Sequence, residues 1–158
     1  TRLASEWEKL ALYGNGAELI TAAAVGALIH SHATSALAVG DALLAGRTAE
    51  AIALVDALLD AHEPALRIVA TLSGQMRGWL WVALLETTGE TDVGTIAKAA
   101  GIGNPKRIYV MRKQIRGKAP PQLLNLLSRL LEVEAALKRG TAPGDAFRGG
   151  FLLADSPA

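Results

Sequence analysis

The strongest constraint in the chain is a leucine repeat at helical spacing. Leu123, Leu124, Leu127, Leu130, Leu131 and Leu137 recur every three or four residues, the period of one helix face rather than the alternation of a strand. Pro120 and Pro121 open the run and Gly140 closes it, and this asymmetry suits a helix because proline is tolerated in a first turn and glycine just past a last one. The same punctuation recurs along the chain. Ser35 can cap a helix through Leu37, Leu43 and Leu44 that stops at Gly46, and Ile52, Val55, Leu58 and Leu59 mark the next helix. Thr48 has alanine three residues on, so its capping box is incomplete, although Glu50 suits the positive end of that helix. Glu63 and Pro64 start a long helix to about Thr87, with Leu66, Val69, Leu72, Met76, Leu80 and Leu84 as its apolar stripe. Gly74 and Gly78 weaken that helix by about 1 kcal/mol each relative to alanine.

Further on, Asp92 is a candidate N-cap for a short helix containing Ile96, and Gly101 and Gly103 end it before Asn104 and Pro105. The helix that follows carries Ile108, Met111 and Ile115 on one face, and a last one covers Gly144 to Leu153, with Phe147 and Phe151 four residues apart. Before all of these, Leu3, Trp7 and Leu10 form a helix ending near Gly14 to Gly16. Thr21 caps a second with Val25, Leu28 and Ile29, and a polar break runs from His30 to Thr34. The pattern predicts about nine helices, an all-α multi-helix bundle preceded by a short helical hairpin, with the boundary between residues 32 and 33. Composition agrees, since aromatic residues are 4% of the chain and the common residues lose little freedom in a helix.

Chemistry is scarce. The 158 residues hold no cysteine and three histidines, His30, His32 and His62, so disulfides, thiolate metal sites and cysteine nucleophiles are excluded. His30 and His32 lie close together, but spacing offers no third ligand, and His62 beside Glu63 reads as a turn feature. Gly101-Ile102-Gly103 lacks the third glycine and the preceding strand of a dinucleotide fingerprint, and no Walker-type loop occurs. Glu6 with Glu8, and Glu132 with Glu134, are two residues apart and point to different helix faces. The expectation is a non-enzymatic chain without catalytic, cofactor-binding or metal-binding residues. No apolar run reaches the roughly 18 residues of a spanning helix, and no secretory signal opens the chain, so the expected location is the cytoplasm. Thr1 in place of a methionine points to a piece of a longer protein.

Charge is uneven although its total is +1. Through residue 97 there are eleven Asp/Glu against five Lys/Arg, and from residue 98 onward four against eleven, with no acidic residue between Asp92 and Glu132. Lys106, Arg107, Arg112, Lys113, Arg116 and Lys118 are therefore candidates for contact with nucleic acid or an acidic partner. Residues 92–116, a short helix, a glycine turn and a basic helix, resemble a helix-turn-helix, which makes a DNA-binding protein the alternative function. Trp79 and Trp81 are two apart and cannot share a face, so both are candidate subunit-interface residues, one of them able to fill the core instead.

Beyond periodicity, the chain resembles a known family. Glu6-Trp7-Glu8-Lys9-Leu10-Ala11-Leu12-Tyr13, with Ile20-Thr21 before a short helix, is similar to the end of the helical lid domain in delta subunits of bacterial DNA polymerase III. Asp41-Ala42-Leu43 with Gly46, Glu63-Pro64, Gln75-Met76-Arg77, Ile96-Ala97 through Gly101-Ile102, and Leu137-Lys138-Arg139-Gly140 continue the resemblance in order. The resemblance implies a bundle of the clamp-loader collar type, with residues 1–32 the end of the lid and 33–158 the collar. It implies a role in joining neighbouring clamp-loader subunits, no ATPase activity, and no binding of the sliding clamp by this fragment; nonspecific contact with primer-template DNA is an expectation of the basic residues instead. One departure stands out: the family often has an acidic residue just before the late lysine, where this chain has Ala135 and Ala136.

Overall fold

The computed structural model describes residues 36–152. Seven helices and no strand occur among the described residues: α1 (residues 36–44), α2 (Thr48–Asp60), α3 (Ala65–Thr87), α4 (Val93–Ala99), α5 (Arg107–Gln114), α6 (Pro120–Lys138) and α7 (Pro143–Leu152). The leading hairpin, the Ser35 cap, the His30/His32 pair and Leu153 lie outside the described residues.

Local chemistry explains most of the boundaries. Asp92 accepts a hydrogen bond from the Thr95 backbone N–H at 2.6 Å, so it caps α4, and the same bond holds its carboxyl below the usual carboxylate range. At α6 the Gln122 side chain accepts from the Ala119 N–H at 3.0 Å, and because alanine has no oxygen to return, only half of the reciprocal box is made. Gly140 (φ 90°) ends α6 as its N–H bonds back to Leu137 and that of Thr141 to Ala136. At the end of α2 the equivalent left-handed position belongs to His62 (φ 63°), whose Nδ1–H donates to the Asp60 carbonyl at 2.9 Å. The turn role expected of His62 is therefore that of the left-handed residue just past the C-cap Ala61.

The 23-residue α3 is the axis of the bundle and runs for about 34 Å. It packs against α6 along its length and against α4 and α5 on another flank, while α7 packs on α6 and α2. Ile68, Leu72, Met76 and Trp79 of α3 meet Leu123 and Leu130 of α6 in one fully buried core, with Phe147 and Phe151 of α7 stacked edge to face 5.7 Å apart. α6 and α7 approach so closely that a Cβ on Gly150 would overlap Val133. Arg148 reaches across from α7 to the Asp56 carboxylate of α2 at 2.8 Å.

Two expected stripes prove to be divided. Leu66 and Leu84, grouped with the buried face of α3, stand 48% and 41% exposed, and in α6 Leu124 and Leu131 are exposed while Leu123 and Leu130 are buried. Leucines at adjacent helical positions cover more arc than one packing partner can enclose.

Candidate functional site

Trp79 and Trp81 separate as their spacing requires. Trp79 is 0% exposed and lies at the centre of a polar network: its Nε1–H donates to Gln114 Oε1 (3.1 Å), and Gln114 Nε2–H donates to Asp41 Oδ1 (2.9 Å). Gln75 Nε2–H donates to the same Asp41 oxygen (3.0 Å) and to the Leu37 carbonyl (3.1 Å). The network pins α1, α3 and α5 together. Burial pushes the Asp41 carboxyl above its ordinary value, against smaller opposing effects of the Arg47 charge and the Gln75 hydrogen bond. Trp79 thus has no surface to give to another subunit, and its part in the paired interface expectation is corrected: its large ring is enclosed and its only donor is satisfied. Trp81, 42% exposed, keeps that role open.

The basic residues do not form one patch. Arg112 Nε bonds Glu86 Oε1 at 2.6 Å and its Nη2 reaches the Thr91 carbonyl at 3.3 Å, so it fastens α5 to the end of α3. Lys106, Arg107, Lys113, Arg116 and Lys118 make no ion pair with a carboxylate among the described residues. Lys113 lies on the outward side of α5 with Tyr109 and Val110, both exposed, and Arg116 is exposed in the turn just past the end of that helix. Lys118 is half-buried beside Leu44, Gln122 and Arg129, in a separate cleft of about 230 Å³. Lys106 and Arg107 begin α5, where no acidic residue occupies the first turn. Cations at a helix N-terminus oppose the macrodipole, while Asn104 Oδ1 accepts from the Lys106 backbone N–H at 3.1 Å and satisfies one of the donors there.

Arg107 also lines a cleft of about 410 Å³ between α3 and the segment joining α4 to α5, with Leu37, Gly74, Gly78, Ile102 and Met111 among its walls. From sequence, Gly74 on this side of α3 was read only as a weakening of the helix and Arg77 only as part of the Gln75-Met76-Arg77 resemblance, neither as a contact residue. A signal was there to find, because positions 66, 70, 74, 77, 81 and 84 repeat at helical spacing opposite the buried residues.

The helix-turn-helix expectation meets a different geometry. Residues 100–106 separate α4 from α5, about twice the three to four residues of such a turn. Ile108, Met111 and Ile115 bury one side of α5.

Fold and site together define an all-helical bundle in which no helix is long and apolar enough to cross a membrane, and no metal-holding cluster occurs, among the described residues. Residues 34–149 match the family of the DNA polymerase III delta subunit, C-terminal domain, and the chain belongs to that family. Membership connects it with the clamp loader and with DNA replication. No curated protein and no solved structure gave a match.

Proposed function

We propose that this chain is a non-catalytic subunit-assembly domain of the replication clamp loader, joining neighbouring loader subunits in the cytoplasm. The observation that carries this reading is the family match over residues 34–149, which covers every described helix except the last residues of α7. A bundle with Trp81 exposed on its longest helix supports it, since amphipathic aromatics are favoured where subunits meet. In this reading residues 1–32 end the lid and residues 33–158 form the collar, with no ATP bound and no sliding clamp engaged by this piece.

Lys106, Lys113 and Arg116 support nonspecific contact with primer-template phosphates as an accessory role, because they are exposed and unpaired among the described residues, whereas Arg107 lines the cleft beside α3. Sequence-specific reading of duplex DNA is less well supported, given the long connector before α5. The deciding experiment measures the mass of the chain alone and mixed with the purified loader subunits. A stoichiometric heteromeric complex is expected. A chain that stays alone, yet binds one duplex sequence with a preference surviving added salt, would replace assembly with DNA recognition.

A further inference from the structure

The outer face of α3 carries features that its own fold does not need. Leu66, Ala70, Gly74, Arg77, Trp81 and Leu84 are all exposed, and at helical spacing they fall within about 80° of rotation along about 27 Å. The stripe is apolar except for Arg77.

Its glycine is the sharpest sign. At Gly78, four residues on, a Cβ would stand 2.8 Å from Met111 Cε, so internal packing accounts for the missing side chain. At Gly74 a Cβ would meet nothing within 4 Å, and glycine in mid-helix is disfavoured. Among the described residues no packing contact requires it. Gly74 stands at the rim of the cleft of about 410 Å³ that Arg107 also lines, so a side chain from outside could seat there. Arg77 and Arg107 have no carboxylate partner among the described residues.

We infer that this stripe seats an amphipathic helix of a neighbouring clamp-loader subunit, with an apolar side chain over Gly74 and carboxylates facing Arg77 and Arg107. Covering the stripe removes water from Arg77, and a buried charge left unpaired is costly, so the occupant must be acidic at that point. The stripe itself contains no carboxylate, so a second copy of this chain cannot supply one from the same face. Phosphates are a poor fit to a stripe whose one cation, Arg77, stands among leucines and a tryptophan with Arg107 in the adjoining cleft, whereas tryptophan and arginine are among the residues most often found to anchor protein contacts.

This inference rests on the assembly role, and its test separates the two. Affinity for the purified loader subunits is measured for the wild type, Gly74→Ala, Arg77→Glu and Leu131→Glu, the last on the outward side of α6, together with the thermal midpoint of each chain alone. Gly74→Ala should melt higher than the wild type yet bind about tenfold more weakly or worse. Arg77→Glu should weaken binding comparably without lowering the midpoint, and Leu131→Glu should bind as the wild type does. If Gly74→Ala and Arg77→Glu bind like the wild type while assembly persists, the stripe assignment is wrong and the assembly role stands. Failure of the wild type to bind any loader subunit overturns both.

Discussion

The two sides of α3 hold the same kinds of residue for opposite reasons. Trp79 and Gly78 face inward, where Gln114 satisfies the indole and Met111 fills the space a Cβ would need; Trp81 and Gly74 face outward and meet nothing of the kind. Residue type does not distinguish the pairs, and neither does position along the helix. What differs is the neighbour each meets, supplied inside by α1, α5 and α6 and, outside, by no element among the described residues. In the proposed assembly role such a helix is half core and half contact surface.

The largest effect should come from the tryptophans. Trp79→Ala removes a fully buried ring and orphans Gln114, and should cost about 3–5 kcal/mol in urea unfolding. Trp81→Ala, at a position 42% exposed, should cost clearly less, about 1–2 kcal/mol; comparable losses at both positions would erase the distinction between the faces. Next in size is Gly40→Ala. Its Cβ would overlap Gln75 Oε1, on a side chain held in place by the two bonds from its Nε2. A loss of about 1–3 kcal/mol is expected, with the Gly40→Ala/Gln75→Ala double variant losing less than the sum because the overlap is gone.

Gly78→Ala should come out near zero, the gain in helix propensity of about 1 kcal/mol being offset by displacement of a flexible methionine end. A large loss there would mean that the inner face is less forgiving than its methionine suggests. The smallest effect concerns pH. Because burial raises the Asp41 carboxyl in the folded state, its contribution is fully present below the ordinary carboxylate value and is lost as pH rises through the raised one. Asp41→Asn keeps an oxygen for both glutamines and removes that titration. The wild type should therefore lose stability relative to the variant as pH rises through that window, and a pH-independent difference would remove Asp41 from the account.

Much of the fold was legible because its signals are local. Pro120 and Gly140 bracket α6, Asp92 caps α4, and Gly46 stops α1, each through atoms within a few residues. The polar network was not legible, since Asp41, Gln75 and Gln114 lie 34 to 73 residues apart and meet only once three helices pack. Spacing alone put Trp79 and Trp81 on different faces but could not say which face was covered. The basic cluster showed the converse failure: six cations close in sequence became a helix clamp at Arg112, a cleft wall at Lys118 and exposed ends elsewhere. Leu66 and Leu84 were assigned to the core because leucine spacing does not mark which neighbouring positions outrun the partner helix.

The central claim is that this bundle exists to join clamp-loader subunits through surface that its own core leaves uncovered. The most direct measurement is the mass of the assembly formed with purified loader subunits by the wild type and by Trp81→Glu, with the unfolding midpoint of each chain recorded alongside. The account predicts a heteromeric complex for the wild type, its loss or marked weakening for Trp81→Glu, and a variant that still folds, with a midpoint only modestly below that of the wild type. A Trp81→Glu chain that folds and assembles as the wild type does, or a wild type that forms no complex, would contradict it.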